Sequence, residues 1–168
     1  PGMIEIVEST RIRGPMAPTR TGLGLRPSMV YSAHGRAILA FSAPEIAAQH
    51  IERIKVKGSK EERNWIDSGR LDEVIRQSRA QGFGERKKAY WEPPFDPGPE
   101  LGAMAVPILS TSGVHGSVSL VWIAEDMSLD EVLSIGSLDD LRRTAARIGV
   151  ALERYGVKAP IGKVSPTP

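Results

Sequence analysis

Ser32, His34 and Arg86 are the residues of this chain whose types and positions suggest chemistry. Ser32 and His34 offer a nucleophile and a general base, but residues two apart on a helix do not face each other. No serine is flanked by the glycine pattern of a nucleophile elbow. Arg86 opens the basic run Arg86-Lys87-Lys88, and a planar guanidinium binds a carboxylate through two N–H donors. The residues therefore argue against catalysis and leave two interpretations of Arg86, a counterion for an acidic ligand or a solvated edge strand, of which spacing alone favours the second.

The composition excludes several other function classes. The chain has no cysteine, which rules out disulfides, thiolate nucleophiles and thiolate metal sites. The three histidines, His34, His50 and His115, are far apart in the sequence, so we predict no metal and no cofactor. The net charge of +2, from 22 basic and 20 acidic residues, is too balanced for a surface that grips DNA. No segment approaches the roughly 20 apolar residues of a membrane span and the first residues show no signal-peptide pattern, so we expect a cytoplasmic protein without membrane contact.

The first half of the chain predicts one strand and three helices around these residues. Alternating side chains predict a strand over 3–7, and the prolines and glycines of 11–29 predict a loop. The spacing of apolar residues predicts a helix over 33–41. The segment SAPE at 42–45 has the pattern of a capping box and predicts a second helix, and a third should follow Ser68 and end at Gly82.

The second half predicts a hairpin and a long helix. A strand is expected within 82–90, followed by a proline-rich excursion over 91–100. The segments 103–109 and 117–123 should form a β-hairpin, Ser128 and Glu131 should cap a helical turn, and an amphipathic helix should run from Ser137 to Gly156. The sequence thus predicts an α+β fold, an antiparallel sheet with helices mainly on one side. Residues 1–156 would form one domain, and 157–168 a C-terminal tail.

Three segments, YSAHGRAILAF, GFGERKKA and LGAMAVPILSTSGVHGSVSLVWI, occur in this order. Together they resemble the effector-binding domain of IclR-family bacterial transcription regulators, over about residues 3–155. The first matches the family's helix start, the second its Gly-Tyr turn, and the third its Ala-x-Ala-x-Pro strand. The residues that carry these matches are Ser32, Ala33, Gly35, Arg36 and Ala37, then Gly82 and Phe83, then Ala103, Ala105, Pro107 and Ile108.

The resemblance implies a GAF-like or profilin-like domain that binds a small metabolite in a cup of its sheet. Relative to the family the chain is N-terminally truncated: the helix-turn-helix, and the helix and strand that open the effector domain, are absent. DNA would be bound only through that missing domain, and the effector domains would associate as a homodimer or homotetramer. Small residues at the first helix start would form the pocket floor. The implied ligand-binding residues are Ser32, Ala33, His34, Arg86, Ala103, Ser119 and Val121, with Trp122 as a further apolar candidate.

The chain departs from the family pattern at its predicted pocket. His34 replaces a small or aliphatic residue, Arg86 stands where many relatives have an acidic one, and Val121-Trp122 replaces Ser-Gly. These differences resemble the branch that activates aromatic-acid degradation, so we expect an aromatic carboxylate clamped by Arg86 and hydrogen-bonded by His34 and Ser32. Two alternatives remain: a dimerisation module without ligand, and a GAF-fold enzyme such as a methionine sulfoxide reductase, whose thiol chemistry needs cysteine.

Overall fold

The structure, a computed structural model, describes residues 4–9, 24–90 and 99–159. Within these ranges, four helices precede the main strands and two follow them. The helices are α1 (Ala33–Phe41), α2 (Pro44–Lys57), α3 (Lys60–Asp67), α4 (Arg70–Gln81), α5 (Leu129–Ser134) and α6 (Ser137–Arg154). The strands are β1 (Gly84–Glu85), β2 (Leu101–Ser110) and β3 (Gly113–Ile123). No helix of the described ranges is long and apolar enough to cross a membrane.

The three strands form one antiparallel sheet in the order β1-β2-β3. The predicted hairpin is confirmed as β2 and β3, and both strands extend into the segment expected to be a turn. Two residues, Thr111 and Ser112, connect them, and Gly113 follows with a φ of 120° that favours glycine. The pairing shifts by one residue between Ile108 and Leu109, where β3 has one residue more than β2. The predicted α+β fold is therefore confirmed.

Helices cover both faces of the sheet. Alternate residues of β2 point to opposite sides: Ala103 and Ala105 pack against α1, whereas Met104 and Val106 pack against α5 and α6. Helices α2, α3 and α4 add to the core on the α1 side, so four of the six described helices lie there. The core on that side is formed by Met29, Val30, Tyr31, Ile38, Leu39, Ala40, Ile54, Leu71 and Ile75.

Glycines allow α1 to approach its neighbours closely. A Cβ on Gly35 would lie 2.3 Å from the Met29 Cα, and a Cβ on Gly84 would lie 2.4 Å from the Ala33 carbonyl oxygen. Both distances are far below van der Waals contact, so only glycine fits at either position. Gly35 thus makes room for the neighbouring backbone of Met29, and that the small residues at this helix start form the floor of a pocket stays a prediction.

Two helix starts differ from the sequence expectation. The predicted capping box at 42–45 is wrong because Ser42 ends α1, where its N–H donates to the Ile38 carbonyl, and α2 begins from Ala43 without a side-chain cap. Helix α3 was not predicted, although Ser59 and Glu62 form a reciprocal capping box at its start. The expected ends at Gly82 and near Gly156 are confirmed, and both glycines have left-handed backbones.

The predicted first strand is not a strand in the structure. Ile6 alone pairs with a neighbouring segment: its N–H donates to Leu25 O and its carbonyl accepts from Gly24 N–H. One pair does not make a ladder. Residues 1–3, 10–23, 91–98 and 160–168, which include most of the predicted loop, proline-rich excursion and tail, lie outside the described residues. The strand expected within 82–90 comprises only Gly84–Glu85, and a turn follows it.

Candidate functional site

The side chain of His34 connects α1 to β3. Its Nδ1 lies 2.8 Å from the Ser117 hydroxyl and its Nε2 lies 3.0 Å from the Ser119 hydroxyl. Ser117 and Ser119 point to the same face because they are two apart on a strand. A neutral imidazole has one donor and one acceptor nitrogen, and a hydroxyl can match either. The structure therefore brings together the predicted residues His34 and Ser119, and adds Ser117.

Burial keeps the His34 imidazole neutral at physiological pH. It lowers the pKa of His34 below its ordinary value of 6.5. A neutral ring flanked by two hydroxyls can offer hydrogen bonds to a ligand without adding a charge to the site. Both ring nitrogens face serine hydroxyls, and no carboxylate among the described residues is hydrogen-bonded to the ring as in a catalytic triad.

Ser32 serves the local structure of α1. Its hydroxyl accepts a hydrogen bond from the Gly35 N–H at 3.0 Å and donates to the Ser28 carbonyl at 2.6 Å. This is the arrangement of an N-cap, and the residue is only 3% exposed. Ala33 and Ala103 are also buried, in one cluster with Ala37 and Ala105. These three predicted ligand-binding residues thus lie in the tightly packed junction of α1 and the sheet.

Arg86 lies at the continuation of β1, on the face that α1 covers. Its N–H donates to the Ala103 carbonyl at 2.9 Å, so the ladder with β2 continues past Glu85. Because Gly84 faces α1, alternation places the Arg86 side chain on the same side. Ala103 pairs in turn with Val121 of β3, which is 38% exposed. Arg86, Ala103 and Val121 therefore form one row across the sheet, next to the row that ends in Ser119.

Trp122 does not belong to this face. Its indole packs with the cluster beneath α5 and α6, and its Nε1–H donates to the Met127 carbonyl at 2.9 Å. The same ring fills the space beside Gly102 on β2. The expectation that Trp122 lines a pocket with Val121 is therefore corrected: neighbours on a strand face opposite sides, and Val121 has the α1 side.

Sequence reasoning missed Ser117 and Tyr90, which contact predicted site residues, and it gave Arg36 no structural role. The Arg86 Cζ lies 5.0 Å from the centroid of the Tyr90 ring. Arg36, counted only as part of a motif, is buried and donates from Nε to Val30 O and from Nη1 to Glu85 O. Burial lowers the pKa of Arg36 to about 10, so it remains charged at neutral pH. Ser117 could have been identified from the sequence, because it lies two residues before Ser119 on the same strand. Tyr90 could not, because only the turn that follows Arg86 brings its ring back to the guanidinium.

Other features of the described residues offer no competing site. Among them, no group of three or more histidine or acidic side chains could hold a metal ion. Two cavities lie away from Arg86 and His34, one of about 110 Å³ beside the β2–β3 turn and one of about 420 Å³ along the exposed side of α6. The predicted ligand-binding residues line neither. The α1 face of the sheet thus combines a cation, a neutral imidazole and two hydroxyls, a set suited to binding an anion.

Solved structures that superimpose on this chain include transcriptional regulators. A regulator from Rhodococcus sp. RHA1, RHA06195, superimposes with a TM-score of 0.67 at 22% identity, over 92% of this chain and 59% of its own. An IclR transcriptional regulator from Alicyclobacillus acidocaldarius superimposes with a TM-score of 0.62 at 14% identity, over 89% and 56% of the two chains. The fold is that of IclR-family regulators. These superpositions confirm the fold that the resemblance of the three sequence segments implied.

A third solved structure that superimposes on this chain contains a ligand. The inducer-binding domain of PobR from Acinetobacter, a double mutant in complex with 3-hydroxybenzoic acid, matches with a TM-score of 0.56 at 17% identity, over 82% of this chain and 76% of its own. No family model matches the chain. The chain spans between half and two thirds of the length of the first two regulators, so the shared feature is the fold of one part of each.

Proposed function

We propose that this chain is the ligand-sensing domain of an IclR-type transcriptional regulator, that it catalyses no reaction, and that its effector is a small carboxylic acid. The observation that carries the proposal is the location of Arg86 on the same sheet face as the His34 imidazole and the Ser117 and Ser119 hydroxyls. A regulator fold and a related domain that holds 3-hydroxybenzoic acid support it.

Each residue of the site has a distinct part in this proposal. Arg86 pairs with the carboxylate, because its planar fork matches two oxygens. His34 and Ser119 form hydrogen bonds with a hydroxyl or carboxylate oxygen of the ligand. Val121, partly exposed in the row of Arg86, contacts the ligand's apolar body. The finer assignment, an effector with an aromatic ring, rests on the resemblance of the sequence at these positions to the branch that activates aromatic-acid degradation.

The remaining parts of the regulator lie outside these residues. We propose that residues 1–156 form the sensing domain, with 157–168 as a tail, and that the chain associates as a homodimer or homotetramer in the cytoplasm. Ligand binding would then shift the equilibrium between two arrangements of the paired domains. A separate helix-turn-helix domain, absent from this chain, would contact DNA. Light scattering that shows a strict monomer at high concentration would contradict the proposed association.

The first experiment is a thermal-shift screen with matched acids and amides. A ligand at 100 times its dissociation constant adds about 2.7 kcal/mol to the free energy of unfolding, which such a screen detects easily. The panel contains aromatic and aliphatic carboxylates, including 3-hydroxybenzoate, and 3-hydroxybenzamide as the uncharged counterpart. We expect stabilisation by an aromatic acid and much less by its amide.

Arg86→Met tests the residue that carries the proposal. Methionine keeps most of the length and removes the charge, so the variant should bind the acid about 10- to 150-fold more weakly, a loss of about 1.5–3 kcal/mol, and bind the amide nearly as before. Lys88→Met is the matched control, since Lys88 is exposed in the neighbouring turn. Calorimetry that shows equal losses for acid and amide would assign Arg86 a structural role, and no loss for either would remove it from the site.

A dimerisation module without ligand is the second candidate. It is favoured by the dense packing of Ala33 with Ala103 and by the hydrogen bonds that already occupy Ser32 and both nitrogens of His34. Side chains, rather than a metabolite, would then fill the interior. This candidate predicts that no acid in the panel stabilises the protein while light scattering still shows a dimer.

A further inference from the structure

Tyr90 is held in place on three sides. Its ring lies under the Arg86 guanidinium, 5.0 Å from centroid to Cζ. Its hydroxyl accepts a hydrogen bond from the Ser28 N–H at 2.9 Å, and its ring centroid lies 5.5 Å from that of Tyr31. Ser28 in turn donates from its hydroxyl to Glu62 of α3 at 2.5 Å. Tyr90 is therefore fixed to the segment that leads into α1 and, through Ser28, to α3.

The turn between Arg86 and Tyr90 brings the ring back over its own strand. The Tyr90 N–H donates to the Lys87 carbonyl, and the Ala89 N–H donates to the Glu100 carboxylate at 2.9 Å. Ala89 has a φ of 55°, a left-handed backbone that is uncommon for alanine and is maintained by its surroundings. The hydrogen bonds donated by the Ala89 and Tyr90 N–H groups supply that restraint.

Stacking on a ring prepares an arginine to bind a carboxylate. A long arginine side chain loses about 2 kcal/mol of rotamer entropy when it becomes fixed. If the ring fixes it before the ligand arrives, this loss does not count against binding. The Arg86 Cζ lies over the face of the Tyr90 ring, and a guanidinium held against a ring can still bind a carboxylate through its N–H donors. Both contacts are therefore compatible in one complex.

We propose that Tyr90 is a positioning residue, which holds the Arg86 guanidinium ready for the carboxylate of the effector by stacking beneath it. This inference rests on the proposed function of the site and extends it to a residue that touches Arg86 rather than the ligand. The ring is the part of Tyr90 that does this, and its hydroxyl serves to hold the ring on Ser28.

Two variants of Tyr90 separate the ring from the hydroxyl. Tyr90→Leu removes both, and Tyr90→Phe keeps the ring. Calorimetry with 3-hydroxybenzoate should show about 2- to 30-fold weaker binding for Tyr90→Leu, the range of a cation–π contact, and a much smaller change for Tyr90→Phe. Binding of 3-hydroxybenzamide should change less than 2-fold in both. Equal losses for acid and amide, or an unchanged affinity of Tyr90→Leu for the acid, would overturn the proposal. Tyr90→Met replaces Tyr90→Leu if the latter fails to fold.

A measurement without ligand tests the stacking by itself. The Nε–H resonance of Arg86, assigned by its loss in Arg86→Met, feels the ring current of Tyr90. We expect it to shift in Tyr90→Leu and to stay near its position in Tyr90→Phe. If the resonance has the same position in the original protein, Tyr90→Leu and Tyr90→Phe, the positioning role is refuted even if acids bind. If instead the resonance shifts as expected but no acid binds to the unmodified protein, the stacking stands and the proposed function fails.

Discussion

Gly84→Ala tests the close packing of α1 on the sheet, on which the geometry of the candidate site depends. A Cβ at this position would lie 2.4 Å from the Ala33 carbonyl oxygen and 2.5 Å from the Ala37 nitrogen. Both obstructing atoms belong to the helix backbone, so no side chain can rotate away to make room. Helix α1 would have to move by about 1 Å to restore van der Waals contact.

The expected cost follows from the size of that movement. Forcing one extra carbon into a packed core costs about 1–3 kcal/mol. For a domain of this size each kcal/mol lowers the melting temperature by about 2–4 °C, so the variant should melt about 2–12 °C lower. The movement would also lengthen the hydrogen bonds from His34 to Ser117 and Ser119, because His34 belongs to α1.

The assay is urea and thermal unfolding of Gly84→Ala beside Gly116→Ala. Gly116 lies on β3, and a Cβ there would meet nothing within 4 Å. The control should therefore unfold within about 0.5 kcal/mol of the original protein. If Gly84→Ala is as stable as Gly116→Ala, α1 does not pack on β1 as described, and the reasoning about the site loses its basis.

Two further predictions concern residues of the site. Burial lowers the pKa of His34, so below pH 6.5 the unfolded chain takes up a proton at this residue that the folded protein does not. The free energy of unfolding should therefore fall as the pH drops from 7.5 to 5.5, by up to about 1.4 kcal/mol per pH unit. The urea midpoint of His34→Gln should therefore depend less on pH than that of the original protein, whereas the midpoint of His115→Gln should keep the contribution of His34. An equal pH dependence in the two variants would contradict a buried, neutral His34. Ser32→Ala should lower the free energy of unfolding by about 0.5–2 kcal/mol through the lost N-cap, with less than a 2-fold change in calorimetric affinity for 3-hydroxybenzoate. A large loss of affinity at unchanged stability would instead make Ser32 a ligand contact.

Local patterns determined the elements of this protein. The apolar spacing that ends at Gly82 predicted α4, and the amphipathic pattern that begins at Ser137 predicted α6, in which the structure buries Leu141 and Ala145. The two apolar strands predicted the hairpin. Such features depend on residues a few positions apart, so the sequence contains their cause. The same holds for the Ser59–Glu62 capping box, a local signal that was present and that the prediction overlooked.

The tertiary structure decided which of these residues meet. His34 forms hydrogen bonds with Ser117 and Ser119, which lie 83 and 85 positions later in the sequence. Glycine is required at position 35 because the backbone of Met29 occupies the space that a Cβ would need. Trp122, a candidate for the pocket beside Val121, lies on the opposite face of the sheet. Alternation along β3 fixed only that Val121 and Trp122 differ, and the packing of α1 on one side and α6 on the other chose between them. These choices depend on contacts between segments that are distant in the sequence. The free energy of such contacts cannot be judged from a short sequence pattern, because it depends on how all the elements pack together.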